Sequence, residues 1–218
     1  MKIIIFVCTF FCYTISFAQR TDSSIKKDKI GVTVSMYGTS DIIEFNPNLQ
    51  NAGFSSSRIY TLGINYIHSI NYRLDFETGL ELSGFKINVL PGGILYSADQ
   101  YGLITTSRNL ELISIPFSIR TNLSKYFYFN GGILIDLDFS NLTKSTDTTD
   151  EDLKFIPDSQ TGIGAFAGLG LKYDFKPGWE ITLNPFAKIH SMVSFTTWDH
   201  VQRLVETGCR FSITIPLK

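Results

Sequence analysis

The feature that most limits the fold of this chain is an alternation of apolar and polar residues that recurs in eight segments. Successive side chains of a β-strand point to opposite faces, so this alternation predicts strands with one apolar and one polar face. The predicted strands cover residues 29–37, 57–68, 71–85, 109–121, 125–139, 160–175, 178–191 and 204–217.

The connections between these strands are alternately short and long. Three joins hold only a few residues, around 69–71, 123–125 and 176–177, whereas the others are long and polar, at 38–56, 86–108, 140–159 and 192–203. Bacterial outer-membrane barrels have short periplasmic turns and long outer loops. The chain is therefore predicted to be all-β, an eight-stranded antiparallel up-and-down transmembrane β-barrel in the cell outer membrane.

The beginning of the chain is typical of an exported protein. Met1 and Lys2 form a short positive start, residues 3–17 are largely apolar, and Ala18 is a small residue that precedes Gln19. This pattern predicts a signal peptide over residues 1–18, cleaved between Ala18 and Gln19. A periplasmic segment would follow over 19–28, and the barrel domain would cover 29–218.

Composition excludes several classes of protein. The formal net charge is −1, which gives no indication of nucleic-acid binding. Cys8 and Cys12 belong to the predicted signal peptide, so Cys209 alone remains and no intramolecular disulfide or Cys/His zinc site is expected. No motif indicates a cofactor, a metal site or a catalytic centre.

The polar face of the predicted strands carries charges of both signs. The interior of an eight-stranded barrel is just wide enough for side chains to fill, and an unpaired charge there is costly. We therefore predict a lumen plugged by paired charges. The residues predicted to form this network are Arg73, Asp75, Glu77, Glu81, Arg120, Asp136, Asp138, Lys172, Asp174, Glu180, Lys188, Glu206 and Arg210.

Alternation alone does not say which face is outside. A soluble periplasmic barrel of the lipocalin kind would turn its apolar face inward around an apolar ligand, and that alternative stays open. Aromatic residues gather next to the short turns, as they do where a barrel meets the membrane interface. This predicted aromatic girdle, which favours outer-membrane lipid as the surroundings, comprises Tyr66, Tyr72, Phe127, Phe129, Tyr173, Phe175 and Trp179.

One strand suggests a family. The segment 113–120 contains Ile115-Pro116 followed by an apolar residue and a closing Arg120. It resembles the isoleucine-proline strand of PorT-like outer-membrane barrels from Bacteroidota, and the strand count and loop rhythm fit that family over the whole mature chain. The resemblance implies an eight-stranded outer-membrane β-barrel domain. Some relatives are tied to type IX secretion, and most have no assigned activity.

The predicted function is non-enzymatic: structural anchoring, loop-mediated binding, or an accessory role in secretion or transport. Bulky residues in the long loops are the candidate contacts to a protein partner or a secretion assembly, namely Phe45, Leu95, Tyr96, Tyr101, Phe195 and Trp198. The alternative is a barrel enzyme using His190 or His200, with a serine such as Ser191 or Ser194. The spacing of these residues does not bring them together.

Overall fold

The computed structural model describes residues 28–44, 53–90, 106–140, 159–175, 178–196 and 202–217. Its strands form a closed barrel in which each is antiparallel to its chain neighbours, and β8 closes the ring by pairing with β1. The predicted fold class is confirmed. No helix in this part of the chain is long and apolar enough to cross a membrane. The strands are β1 Lys29–Glu44, β2 Gly53–Ser69, β3 Leu74–Leu90, β4 Thr106–Asn122, β5 Phe127–Asp138, β6 Gly162–Asp174, β7 Glu180–Ser194 and β8 Gln202–Pro216.

Several strands reach further into the long connections than predicted. β1 continues to Glu44 and β3 to Leu90, so the expectation that 38–56 and 86–108 are entirely loop was wrong. The reason is an apolar interior in this part of the barrel, which gives the extended strands a face to bury. It consists of Ile42, Phe85, Ile87, Leu110, Leu112 and Leu204, here named the loop-end cluster.

The alternation keeps its period but exchanges its faces in this extension. Phe85 and Leu112 are fully buried inside the barrel, whereas Lys86 and Glu111 are exposed outside it. Nearer the short turns, polar residues point inward and apolar residues outward. An exterior that becomes polar while the interior becomes apolar is expected where a barrel leaves the lipid and enters water.

Prolines in strands lack the N–H that a ladder needs, so the sequence predicts a bulge, a strand end or a missing bond at each. The β3–β4 register runs from Glu77–Ser118 and Thr78–Phe117 directly to Glu81–Ser114, with the interruption at Pro116. The β6–β7 register is interrupted at Pro185 in the same way, and Pro216 is the last residue of β8. This prediction is confirmed.

A bulge in β7 shapes the interior. Gly162 pairs with Ser194 and Ile163 with Val193, but Ala165 already pairs with Ile189. The extra residues at 190–192 leave the ladder, and the φ of Ser191 there is 48°. As a result, the consecutive residues His190 and Ser191 are both buried, although adjacent residues of a regular strand point to opposite faces.

Two adjacent glycines in β5 provide a test of the strand packing. A Cβ on Gly132 would lie 2.0 Å from the backbone oxygen of Phe117 in β4, whereas one on Gly131 would meet its nearest atom at 3.4 Å. We expect Gly132→Ala to lower the free energy of unfolding by about 1–3 kcal/mol, because the two strands must separate. Gly131→Ala is the matched control and should change it little. Urea unfolding in lipid vesicles measures both, and equal effects would contradict the observed close approach.

Candidate functional site: the charged lumen

Toward the short turns, the exterior of the barrel is apolar and its interior is charged. Large apolar side chains on the outer face of β1, β2 and β6 are exposed by half or more, for example Val32, Leu62, Ile64 and Leu169. A continuous apolar surface of this kind, around a closed sheet with no free edge, is stable in hydrocarbon and not in water. The apolar face therefore lies toward lipid.

The residues of the predicted aromatic girdle lie at the short-turn end. Tyr66 and Tyr72 are half-buried, and the other five are exposed. The Tyr66 hydroxyl donates a hydrogen bond of 2.5 Å to Asp28, and His68 Nδ1 lies 2.9 Å from the same carboxylate. The hydrogen bond from Tyr66 and, after it, the contact with His68 hold the pKa of the Asp28 carboxyl below its ordinary value. Asp28, which directly precedes β1, is thus attached to β2 at the level of the girdle.

The lumen contains two groups of ion pairs, the first of which lies near the short turns. Lys29 at the start of β1 donates a hydrogen bond of 2.7 Å to Glu180 at the start of β7. The other oxygen of Glu180 lies 2.6 Å from Arg120 Nη2, in an ion pair that lacks the alignment of a hydrogen bond. The Arg120 guanidinium also lies 3.9 Å from the ring centre of Tyr128, whose side chain points into the lumen.

The middle of the lumen is organised around Arg210 and Lys188. Arg210 Nη1 lies 3.2 Å from Glu81 and 3.6 Å from Glu77. Lys188 Nζ donates a hydrogen bond of 2.5 Å to the second oxygen of Glu81 and lies 3.8 Å from Glu206. These side chains are almost completely buried, so each carboxylate depends on a neighbouring cation for stabilisation.

This second group of ion pairs extends from Lys188 to the bulge in β7. Glu206 accepts a hydrogen bond of 2.5 Å from Arg58 and lies 3.4 Å from His190 Nε2. His190 Nδ1 lies 3.1 Å from Asp136, which also accepts a hydrogen bond of 2.5 Å from the Ser114 hydroxyl. The imidazole therefore lies between two buried carboxylates. A positive φ at the neighbouring serine costs on the order of 1–3 kcal/mol, and contacts such as these must compensate for it.

Ten of the thirteen residues predicted for the lumen network are buried inside the barrel. Asp75 and Lys172 form a separate group around Asn122, whose amide donates to Asp75 at 2.8 Å and accepts from Lys172 at 2.5 Å. The ten residues are Asp75, Glu77, Glu81, Arg120, Asp136, Lys172, Glu180, Lys188, Glu206 and Arg210.

Three predicted residues lie elsewhere. Arg73 is exposed in the turn before β3, where the alternation of the strand does not apply. Asp174 is exposed at the end of β6 and reaches Lys29 at a distance of 3.2 Å. Asp138 is half-buried at the loop end, where it accepts hydrogen bonds from Ser140 and from the backbone N–H of Gln160. Arg73 and Asp138 therefore lie outside the lumen network, and Asp174 contacts it from its exposed end through Lys29.

Sequence reasoning missed Lys29, Arg58 and the lumen position of two phenylalanines. Arg58 lies beside a register shift between Arg58 and Tyr60, so simple alternation along β2 gives it the wrong face. Phe166 and Phe186 are buried and point inward; the Phe186 ring centre lies 4.9 Å from Lys188 Nζ. The sequence does contain a signal for this position, because both phenylalanines lie on the strand face that carries charges. An aromatic ring there is favourable, since it can stabilise a neighbouring cation.

His190 and Ser191 are not arranged as a general base and a nucleophile. Both ring nitrogens of His190 face carboxylates, and the Ser191 hydroxyl donates to the backbone oxygen of Thr161 at 3.3 Å. Within the described ranges, no group of three or more His, Cys, Asp or Glu side chains could hold a metal ion. His200 lies outside the described residues. The chemistry that the lumen geometry supports is charge pairing.

A closed eight-stranded barrel with an apolar exterior, aromatic residues at the short-turn end and a charged interior is an outer-membrane β-barrel. Neither a protein-family model nor a curated protein matches the chain.

Three solved outer-membrane proteins are similar in structure. OprG from Pseudomonas aeruginosa is 12% identical, with 88% of this chain and 97% of that chain covered at a TM-score of 0.46. AlkL in lipid bilayers is 14% identical, with 91% and 94% covered at 0.49. Ail from Yersinia pestis is 12% identical, with 86% and 99% covered at 0.35. At these identities the likeness concerns the fold.

The ion pairs predict that substituting a buried charge lowers the free energy of unfolding more than substituting an exposed one does. Lys188→Met removes the cation that Glu81 and Glu206 share. Glu81 keeps Arg210, and Glu206 keeps Arg58, so the free energy of unfolding should fall by about 1–3 kcal/mol, the cost of leaving a buried polar group short of a partner. Asp174→Asn removes an exposed partner of Lys29 and should change it by only about 0–1 kcal/mol. Urea unfolding of the purified protein in vesicles compares the two.

A second variant separates charge from packing in this comparison. Lys188→Met combined with Glu81→Gln also removes the carboxylate that has lost its hydrogen bond from Lys188, so it should recover part of the lost stability. If the double variant is less stable than Lys188→Met by the full cost of a separate substitution, the two side chains do not act as a pair.

Proposed function

We propose that this protein is a non-enzymatic outer-membrane barrel whose lumen is closed, and that it acts as a rigid support for the long loops on its outer side. The observation that carries the proposal is the presence of two groups of buried ion pairs, one around Glu180 and the other extending from Arg210 to Asp136. Its role is structural anchoring, binding through the loops, or assistance to a secretion or transport assembly. Outer-membrane lipid surrounds it.

Two layers inside the barrel support a closed lumen. The ion pairs and Phe186 occupy the middle of the barrel and its short-turn end, and the loop-end cluster fills the other end. Gln160 is fully buried at the loop end; its amide donates to the backbone oxygen of Gln202 and accepts from the N–H of Leu204, at 3.1 and 3.0 Å. Such filling supports a lumen without an open aqueous path or a ligand chamber.

The proposal includes a location and a family. A cleaved signal over 1–18 exports the chain, and the short turns face the periplasm as in other bacterial barrels. Membership of the PorT-like family and a link to type IX secretion rest on the segment 113–120. Of the loop residues suggested as partner contacts, Phe195 is exposed beyond the end of β7. The others, Phe45, Leu95, Tyr96, Tyr101 and Trp198, lie outside the described residues.

The two alternatives have less support. A soluble lipocalin-like barrel needs an apolar interior along the strands, whereas the lower lumen carries Arg120, Lys188 and Glu206 and its exterior is apolar. A barrel enzyme would need His190 next to an available nucleophile, and its ring instead lies between Asp136 and Glu206.

The membrane location predicts the behaviour of the protein on fractionation. It should sediment with the outer membrane and migrate faster on a denaturing gel without boiling than after boiling, because the closed barrel resists detergent. Recovery in the soluble periplasmic fraction, with one mobility under both conditions, would contradict membrane insertion.

The closed lumen predicts the electrical behaviour. The purified wild-type protein should give no steady current in planar lipid bilayers. Replacing Phe85, Phe186 and Arg210 together by glycine removes large side chains from both layers and should raise the current above that of the wild type. Leu183→Gly, which alters an exposed residue on the outer face, is the control. A steady ohmic current through the wild type would show that the lumen is open.

A further inference from the structure

A pocket that does not include the lumen ion pairs around Glu180 and Glu81 lies at the short-turn end of the barrel. It has a volume of about 350 Å³ and lies between the turn before β3, the turn between β4 and β5, and the end of β6. The two turns are joined directly, because the N–H of Asn122 donates to the backbone oxygen of Arg73 at 2.6 Å. Both turns are short and held by backbone hydrogen bonds, so the pocket is part of the rigid wall.

The lining of this pocket carries three cations and one carboxylate. Arg73 and Lys125 contribute from the two turns, and the buried Lys172 contributes from β6. Asp174 is the acidic residue of the lining, and its charge is already compensated by Lys29 at 3.2 Å. Within the described residues, Arg73 and Lys125 have no carboxylate at ion-pair distance and instead lie 5.1 and 5.3 Å from the rings of Tyr72 and Tyr126.

The same pocket borders the membrane surface. Leu123 lines it and is 61% exposed, and the neighbouring Tyr126 and Phe127 are exposed at the level of the aromatic girdle. Aromatic belts lie at the depth of the lipid headgroups. A ligand in this pocket would therefore have cations on one side and an apolar surface that continues into the bilayer on the other.

We propose that this pocket binds the phosphate group of an anionic phospholipid in the periplasmic leaflet, through Arg73 and Lys125 with Lys172 behind them. Guanidinium and ammonium groups form charge-assisted hydrogen bonds to phosphate oxygens, and basic pockets at membrane surfaces bind anionic headgroups. Leu123 and Tyr72 border the site on the lipid side and lie against the glycerol and the upper acyl chain. The inference rests on the proposed membrane location and on the short turns facing the periplasm.

The experiment compares probes that share the phosphate but differ in the rest of the molecule. Detergent-solubilised protein is titrated with short-chain phosphatidylglycerol, phosphatidylcholine, glycerophosphate and inorganic phosphate, and bound molecules are counted by native mass spectrometry. The variants are Arg73→Gln, Lys125→Gln and, as the control, Lys86→Gln, which removes an exposed cation at the opposite end of the barrel. The boiling-dependent gel shift is recorded for each protein.

We expect the wild type to prefer phosphatidylglycerol over phosphatidylcholine, and each pocket variant to weaken that binding about tenfold while Lys86→Gln leaves it unchanged. If glycerophosphate or inorganic phosphate binds as tightly as the lipid, the site takes a free phosphate and the lipid source is wrong. Equal binding by the wild type and the pocket variants overturns the site altogether. Loss of the gel shift in the wild type would instead contradict the membrane barrel itself, so the two failures are distinguishable.

Discussion

The lumen of an eight-stranded barrel is too narrow to hold bulk water around its side chains, so a charged group on the inner wall must find its stabilisation in other side chains. In this barrel the ion pairs do not form isolated couples. Glu180 contacts two cations, Glu81 contacts two, and Glu206 contacts two cations and an imidazole. Because Glu180 pairs with Arg120 of β4 and Lys188 pairs with Glu81 of β3, ion pairs from β7 cross the lumen to the opposite wall.

This need for pairing explains why the sequence correctly predicts which charged residues face the lumen toward the short turns. In a regular strand the alternation assigns every side chain to a face, and a charge on the inner face must be paired. Glu81 and Lys188 lie far apart in the sequence, yet both were assigned to the lumen by parity alone. Which cation meets which carboxylate depends on the tilt and stagger of the barrel, and these are not visible in a single strand.

Bulges and turns are the positions at which the sequence does not predict the direction of a side chain. A bulge adds a residue and exchanges the faces beyond it, as the register shifts beside Gly38 and Arg58 illustrate. In β7 the bulge gives buried positions to both His190 and Ser191, a combination that no alternation predicts. Turn residues escape the rule for another reason: Arg73 precedes its strand, so its side chain follows the geometry of the turn. The pocket that contains Arg73 is formed by turns that are adjacent only after the barrel closes.

The exchange of faces along the strands divides the barrel into two parts with different solvents. Toward the short turns, the exterior buries apolar surface in lipid and the interior is held by charge. Toward the loops, the exterior is polar and the interior is held by the loop-end cluster, as in a water-soluble sandwich or barrel. Such a cluster gains from the hydrophobic effect only where the outside is water, because in lipid an apolar side chain loses little by facing outward. The strands therefore continue beyond the apolar exterior with an interior of a second kind, formed by the loop-end cluster and the buried Gln160, because on that side the hydrophobic effect favours an apolar inside.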